Sequence, residues 1–288
     1  MSTKKYAVFT MDVETFGDTE CINSGGIHVD VDLLDGLDEY LRILDSFNIK
    51  ATLFTVGDLA PQIAERLRPY IADGHDLAMH SYTHLAPMTL SAKQFREGVQ
   101  AAKHRMEALF DVEVTGFRAP CFSMDKTRLD ILQELGFRYD SSHLGYQQAR
   151  HTVELDLQDF HPLRKDILRK GSFYEFALCK EKVLGMPFPI SGGGYVRLSV
   201  WHFIRSLIQR HIRKNDYYVF YLHPFELTKK KVPYIKELKS YDKYYIRRGI
   251  RTYGRRIRRI IRMLQKQGYE FITFEQLVQT MDKKQTGR

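Results

Sequence analysis

Short apolar runs that end on a polar residue alternate along this chain with stretches of helical apolar spacing. Residues 6–11 form the first run, closed by Asp12, and read as a buried strand. Leu33, Leu37, Leu41 and Leu44 then repeat at helical spacing. Residues 51–56 and 75–80 read as strands on either side of a helix over 61–69, the second introduced by the Asp73-Gly74 turn. Ser91, with Gln94 three positions on, has the form of a helix cap, and that helix runs to about residue 109. A strand over 115–120, a helix over 126–135 and a strand over 137–141 follow. Beyond the Gly192-Gly193-Gly194 run come a helix over 199–213, an apolar strand over 217–222 closed by His223, a helix over 246–267 and a strand over 270–274.

Alternating strands and helices predict an α/β fold with a parallel sheet. At 288 residues a closed barrel with seven or eight strands fits better than an open sheet. The whole span 1–288 is read as one barrel domain. Residues 145–185 show little periodicity and are expected to be an insertion or an irregular segment. A hydrophobic content of 43% and a charged content of 27% are ordinary for a globular domain.

The polar residues fall where such a barrel would place a site. Asp12 and Glu14 follow the first strand, His80 and His84 the third; Arg118 and Asp140 lie in later strands, and His223 ends another. Strand C-terminal ends share one face in parallel barrels, so these side chains would converge. His80 and His84 are four apart, which on a helical turn puts both imidazoles on one side, a spacing suited to one zinc-like ion. Asp12 and Glu14 add a carboxylate to complete an open three-ligand set, with one acid to spare. His223 is the natural general acid of such a set. Arg118 needs a carboxylate partner, for which Asp12 is the candidate, and Asp140 either caps a turn or orients His223.

In this order the motifs resemble those of the polysaccharide deacetylases of carbohydrate esterase family 4, the NodB-like fold. Thr10-Met11-Asp12-Val13-Glu14 stands for the first motif, His80-Ser81-Tyr82-Thr83-His84 for the second and Arg118-Ala119-Pro120 for the third. Asp140-Ser141-Ser142 and Leu222-His223-Pro224 stand for the last two. The first motif departs from the family's adjacent Asp-Asp, since Asp12 and Glu14 are separated by Val13. With Ser191 to Leu198 and Tyr221 to Glu226, it resembles a subgroup tied to exopolysaccharide and surface-glycan synthesis. The resemblance implies a distorted barrel and a divalent ion, zinc first, cobalt or nickel next, held by Glu14, His80 and His84. It implies Asp12 as general base, with base and ligand roles exchangeable between Asp12 and Glu14. It implies Arg118 as the residue that fixes Asp12, His223 as general acid, and the Cys121 backbone N–H as an oxyanion donor. Gly193 and Tyr195 would line the sugar pocket; the other reading of the glycine run is a bulge or turn. An N-acetylated glycan, polymeric or lipid-linked, is the implied substrate. The alternatives are a barrel hydrolase of another C–N bond, such as a formyl group, and an inactive glycan-binding barrel.

The formal charge is +9, concentrated late in the chain. Across 246–267, Ile246, Ile250, Tyr253, Ile257, Ile260, Ile261 and Leu264 make one apolar face, and eight arginines cover the rest. This predicts an outer barrel helix with a solvated cationic face, or else a surface drawn to anionic lipid. No recognition motif supports nucleic-acid binding. Three scattered cysteines, no secretory leader and no run of about twenty apolar residues predict a cytoplasmic protein, in solution or peripheral to the inner membrane face.

Overall fold

A computed structural model of the chain describes residues 4–145 and 155–286. They fold as two units, residues 1–49 with 180–271 and residues 50–179 with 272–288.

The first unit is built on the strand Lys5–Val13, buried from Tyr6 onward. It runs parallel to Tyr217–Phe220, from Tyr6 opposite Tyr217 to Phe9 opposite Phe220, and to Tyr269–Phe271, with Ala7 opposite Phe271. A strand with parallel neighbours and no solvated face requires the near-continuous apolar run seen here. Phe9 stacks on Phe220 at 5.3 Å. The helix Asp35–Asp45 buries Leu37, Leu41 and Leu44. A Cβ on its Gly36 would lie 1.7 Å from the Pro224 carbonyl oxygen, so only glycine permits this approach.

The arginine-rich segment corrects one expectation. It is two helices, Ser240–Arg247 and Ile250–Lys266, separated at Arg248 and Gly249. Gly249 has φ +80°, and a Cβ there would meet the Arg197 carbonyl oxygen at 2.9 Å. All seven residues of the expected apolar face are buried. Several arginines are also engaged. Arg256 donates to the carbonyls of Val196 and Ser199, Arg256 and Arg259 lie over Trp201, and Arg262 lies over Phe47. The helix has no apolar face left to offer a lipid surface; it could contribute charge alone.

In the second unit, Thr52–Thr55, Asp76–Met79, Gly116–Phe117, Tyr139–Asp140 and Phe173–Phe176 pair in that order, all parallel. Parallel strands among the described residues therefore number three in one unit and five in the other, within the expected count. The span 145–185 is more regular than its composition suggests. His161–Arg164, Ile167–Lys170 and Phe173–Phe176 form an antiparallel meander, and Lys180–Val183 pairs with Met186–Pro189 in a hairpin of the first unit. His161–Arg164 is exposed along most of its length and carries a proline, and Ile167–Lys170 is only partly buried, which masks the alternation. Residues 146–154 of that span lie outside the described residues.

The strand expected over 270–274 ends at Phe271, and a helix, Phe274–Thr286, follows. Its first turn is tied down: Phe274 N–H donates to Thr52 Oγ1 and Glu275 N–H to Asp76 Oδ2. Asp76 Oδ2 also accepts from Thr52 Oγ1 and from the Tyr139 hydroxyl at 2.8 Å. Burial raises the Asp76 carboxyl to about 6 against these donors. Phe274 stacks on Phe176 at 4.6 Å, inside a cluster with Phe54 and Tyr139. Among the described residues no helix is long and apolar enough to cross a membrane.

Candidate active site

The first unit carries Asp12, Glu14 and His223. Asp12 sits near the end of the central strand and Glu14 just beyond it; both are buried. The Asp12 N–H donates to the Leu222 carbonyl at 3.0 Å, which sets the acid beside the turn bearing His223. His223 Nε2 is 4.0 Å from Asp12 Oδ2. Its Nδ1 donates to Glu226 Oε1 at 3.1 Å, and its backbone N–H donates to the same oxygen. The other Glu226 oxygen accepts from Arg197 Nε at 2.6 Å, in a pair with no exposed side-chain surface. The Arg197 guanidinium lies over Phe225 and Tyr245.

This chain of charges sets two proton affinities. Burial opposes protonation of His223, but Glu14, Glu226 and Asp12 outweigh it and raise the imidazole to about 9. Burial likewise opposes the Glu226 charge, yet Arg197 and His223 hold it below the usual carboxylate range. His223 is therefore a cation at neutral pH, with one nitrogen fixed and the other facing an acid.

The second unit carries His80, His84, Arg118 and Asp140. The His80 N–H donates to the Thr55 carbonyl, and the Arg118 N–H to the Met79 carbonyl. That register brings His80 Nδ1 to 2.9 Å from the Arg118 carbonyl oxygen. A carbonyl can only accept, so Nδ1 carries the proton and Nε2 presents its lone pair. The helical turn expected over 80–84 is absent. Ser81 has φ +64°, and the carbonyls of Ser81 and Tyr82 accept from Gly57 and Asp58, which holds the segment as a bent loop. The two imidazoles still come together, with ring centroids 5.1 Å apart.

The Arg118 side chain is fully buried. Nε and Nη2 donate to the Ser141 carbonyl and hydroxyl, and the guanidinium lies 4.1 Å over the Phe54 ring. Asp140 caps a turn: its carboxylate accepts from the backbone and hydroxyl of Ser142. Its strand partner is Glu175, and both are fully buried. Burial raises Asp140 to about 6; burial, with Asp140 beside it, raises Glu175 well above the usual range. The two therefore share a proton. Sequence reading passed over Glu175, because its partnership depends on strand pairing across 35 positions.

The residue that sequence reasoning left without a role is Glu226. It, rather than Asp140, receives Nδ1 of His223. Its i+3 spacing from His223 was the available signal. Cys121 has a left-handed backbone, φ +54°, in the turn after Arg118. The glycine run opens the short helix Gly193–Leu198. Gly193 N–H donates to the Tyr221 carbonyl and its own carbonyl accepts from the Tyr253 hydroxyl, so both backbone groups are committed to packing. Tyr195 is half-buried, with its ring against Phe188.

Each unit thus brings buried acids or histidines to the ends of its parallel strands. Residues 26–139 match the family model for polysaccharide deacetylase, and residues 150–279 match a domain of unknown function, DUF3473. A peptidoglycan deacetylase of Helicobacter pylori is 25% identical over 107 residues, which cover 37% of this chain and 36% of that protein. The match thus spans about a third of the curated relative's length. A putative polysaccharide deacetylase from Mycobacterium smegmatis has a similar structure, with TM-score 0.62 and 17% identity over 99% of this chain and 92% of that one. A CE4 family pseudoenzyme from Bacillus anthracis is similar at TM-score 0.53 and 16% identity, over 96% of this chain and 66% of that one. The fold is therefore the distorted NodB-like α/β barrel, and the matches support a polysaccharide deacetylase domain in this chain.

Proposed function

We propose that the protein hydrolyses the acetamide of N-acetylated sugars in a polysaccharide or lipid-linked glycan, using a divalent metal. Glu14, His80 and His84 would hold the ion. The donor set fits: two imidazoles and a carboxylate, all buried, suit zinc, with cobalt or nickel next. The observation that carries this reading is the bond from His80 Nδ1 to the Arg118 carbonyl, the second-shell contact that fixes a ligating tautomer. When bound, the ion would acidify water and polarise the acetyl carbonyl. Asp12 accepts a proton from the attacking water. His223, held cationic and oriented by Glu226, delivers a proton to the departing amine, so that acetate and a free amino sugar leave. The Cys121 backbone N–H is the proposed donor to the developing oxyanion.

An inactive relative such as the pseudoenzyme makes a glycan-binding barrel the competing reading. Here every position named above holds a residue competent for its step, which favours the enzyme. The test is metal analysis of purified wild type beside His80→Ala/His84→Ala, with acetate release from N-acetylated glycans on the same samples. Bound metal and acetate release, both lost in the variant, are expected. No binding of zinc or cobalt by wild type would overturn the reading.

A further inference from the structure

The hairpin Lys180–Val183 and Met186–Pro189 turns through two residues, Leu184 and Gly185. Both have positive φ, +49° and +84°, as in a type I′ turn. Such a turn favours Asn or Asp before the glycine, because a leucine with positive φ is strained. Leucine at this position is also 94% exposed. The fold gains nothing from it on either count.

Leu184 is not isolated. Met186 is 67% exposed, Val200 72% and Phe203 39%. Phe188 joins the hairpin to the helix Trp201–Lys214 through an edge contact with Phe203 at 5.3 Å. Glu181 and the Lys182 carbonyl fasten its other strand to Arg210 on the same helix. The platform is strongly basic. Residues 180–215 hold, besides the buried Arg197, six Lys or Arg and one acid, Glu181, which is already engaged by Arg210 and His211. Arg256 and Arg259 add cationic charge over Trp201.

We propose that this hairpin tip is a membrane anchor, with Leu184, Met186, Val200 and Phe203 entering the interface of an anionic bilayer and the surrounding Lys and Arg meeting its headgroups. Aliphatic side chains at a protruding tip with a cationic collar match the two signals that peripheral membrane binding requires, apolar burial and charge attraction. The basic helix Ile250–Lys266 supplies only the second. The anchor is independent of the deacetylase reading, since lipid binding needs no turnover.

The test uses the full chain and phosphatidylcholine vesicles with and without phosphatidylglycerol. Co-sedimentation is read together with the emission of Trp201, the chain's single tryptophan. Binding to the anionic vesicles and a blue shift are expected. Leu184→Asn with Met186→Asn should weaken binding by roughly tenfold. The thermal midpoint should hold or rise, because asparagine suits the turn. Binding unchanged by the double substitution would overturn the proposal, as would no binding by wild type. A dimer without lipid that the substitution converts to monomer would also overturn it, marking the tip as a contact between copies.

Discussion

The ring and the backbone N–H of His223 both donate to one oxygen of Glu226, at 3.1 and 3.2 Å. Arg197 occupies the other oxygen, so His223 is oriented by a carboxylate that is itself fixed and kept ionised. The proposed acid of the reaction therefore owes its orientation, and part of its proton affinity, to a residue that need not touch substrate.

Glu226→Gln tests that dependence. Removing the charge lowers the proton affinity of His223, so the basic limb of the kcat profile moves to lower pH than in the wild type. KM should change little, which separates a positioning role from substrate binding. The buried Arg197 loses its counter-ion, and stability should fall by about 3 kcal/mol in urea unfolding. An unmoved basic limb would mean that Glu226 does not set the protonation of His223.

Gly36→Ala acts on the same turn from the other side. The added methyl would overlap the Pro224 carbonyl, and the turn must shift, carrying His223 with it. A displacement of about 1 Å costs on the order of 100-fold in kcat, and the overpacking about 1–3 kcal/mol of stability. Steady-state kinetics beside a thermal melt would check both.

Asp140 and Glu175 share one proton, and Glu175→Gln replaces that proton with an amide. The glutamine oxygen can accept from the His143 N–H, as Glu175 Oε1 does now, while its NH2 donates to Asp140. Both carboxyls have raised folded pKa values. Their contribution is full below the unfolded value, about 4, and is lost as pH rises through about 6 and beyond. Relative to wild type, Glu175→Gln should therefore gain stability as pH rises above about 5 in paired urea titrations. A constant difference across that range would mean that Glu175 is already ionised.

Tyr139→Phe removes one donor from buried Asp76 at the start of the Phe274–Thr286 helix. A loss of about 1–3 kcal/mol is expected, with acetate release by the folded fraction unchanged. Hydrogen exchange over residues 274–286 should rise first, because that helix is capped through Asp76.

The apolar runs and the strand-end polar residues were legible in the sequence because parallel strands buried on both faces leave a simple signature. The capping box at Ser91 appears as read, with Gln94 returning to the Ser91 N–H. Three features were hidden. The break at Gly249 rests on a close approach to Arg197, 52 positions away. The meander over 161–176 ends in an exposed edge strand whose register shifts between Pro162 and Arg164, and that obscures its period. The Glu175 contact arises from a strand register that residue spacing does not encode, whereas the Glu226 contact, in a tight turn, left only its i+3 spacing from His223 as a sign.

Two of the neighbours of the strand Lys5–Val13, Tyr217–Phe220 and Tyr269–Phe271, are synthesised more than two hundred residues later. The helix Asp35–Asp45 of the same unit meets it much sooner, with the Tyr40 hydroxyl on the Thr10 carbonyl at 3.2 Å, but those two neighbours are still missing. Closing so distant a contact is slow, and the first unit cannot complete its central sheet until about residue 271 has emerged. Until then the side of this strand that faces those partners stays open, a point at which a chaperone would help.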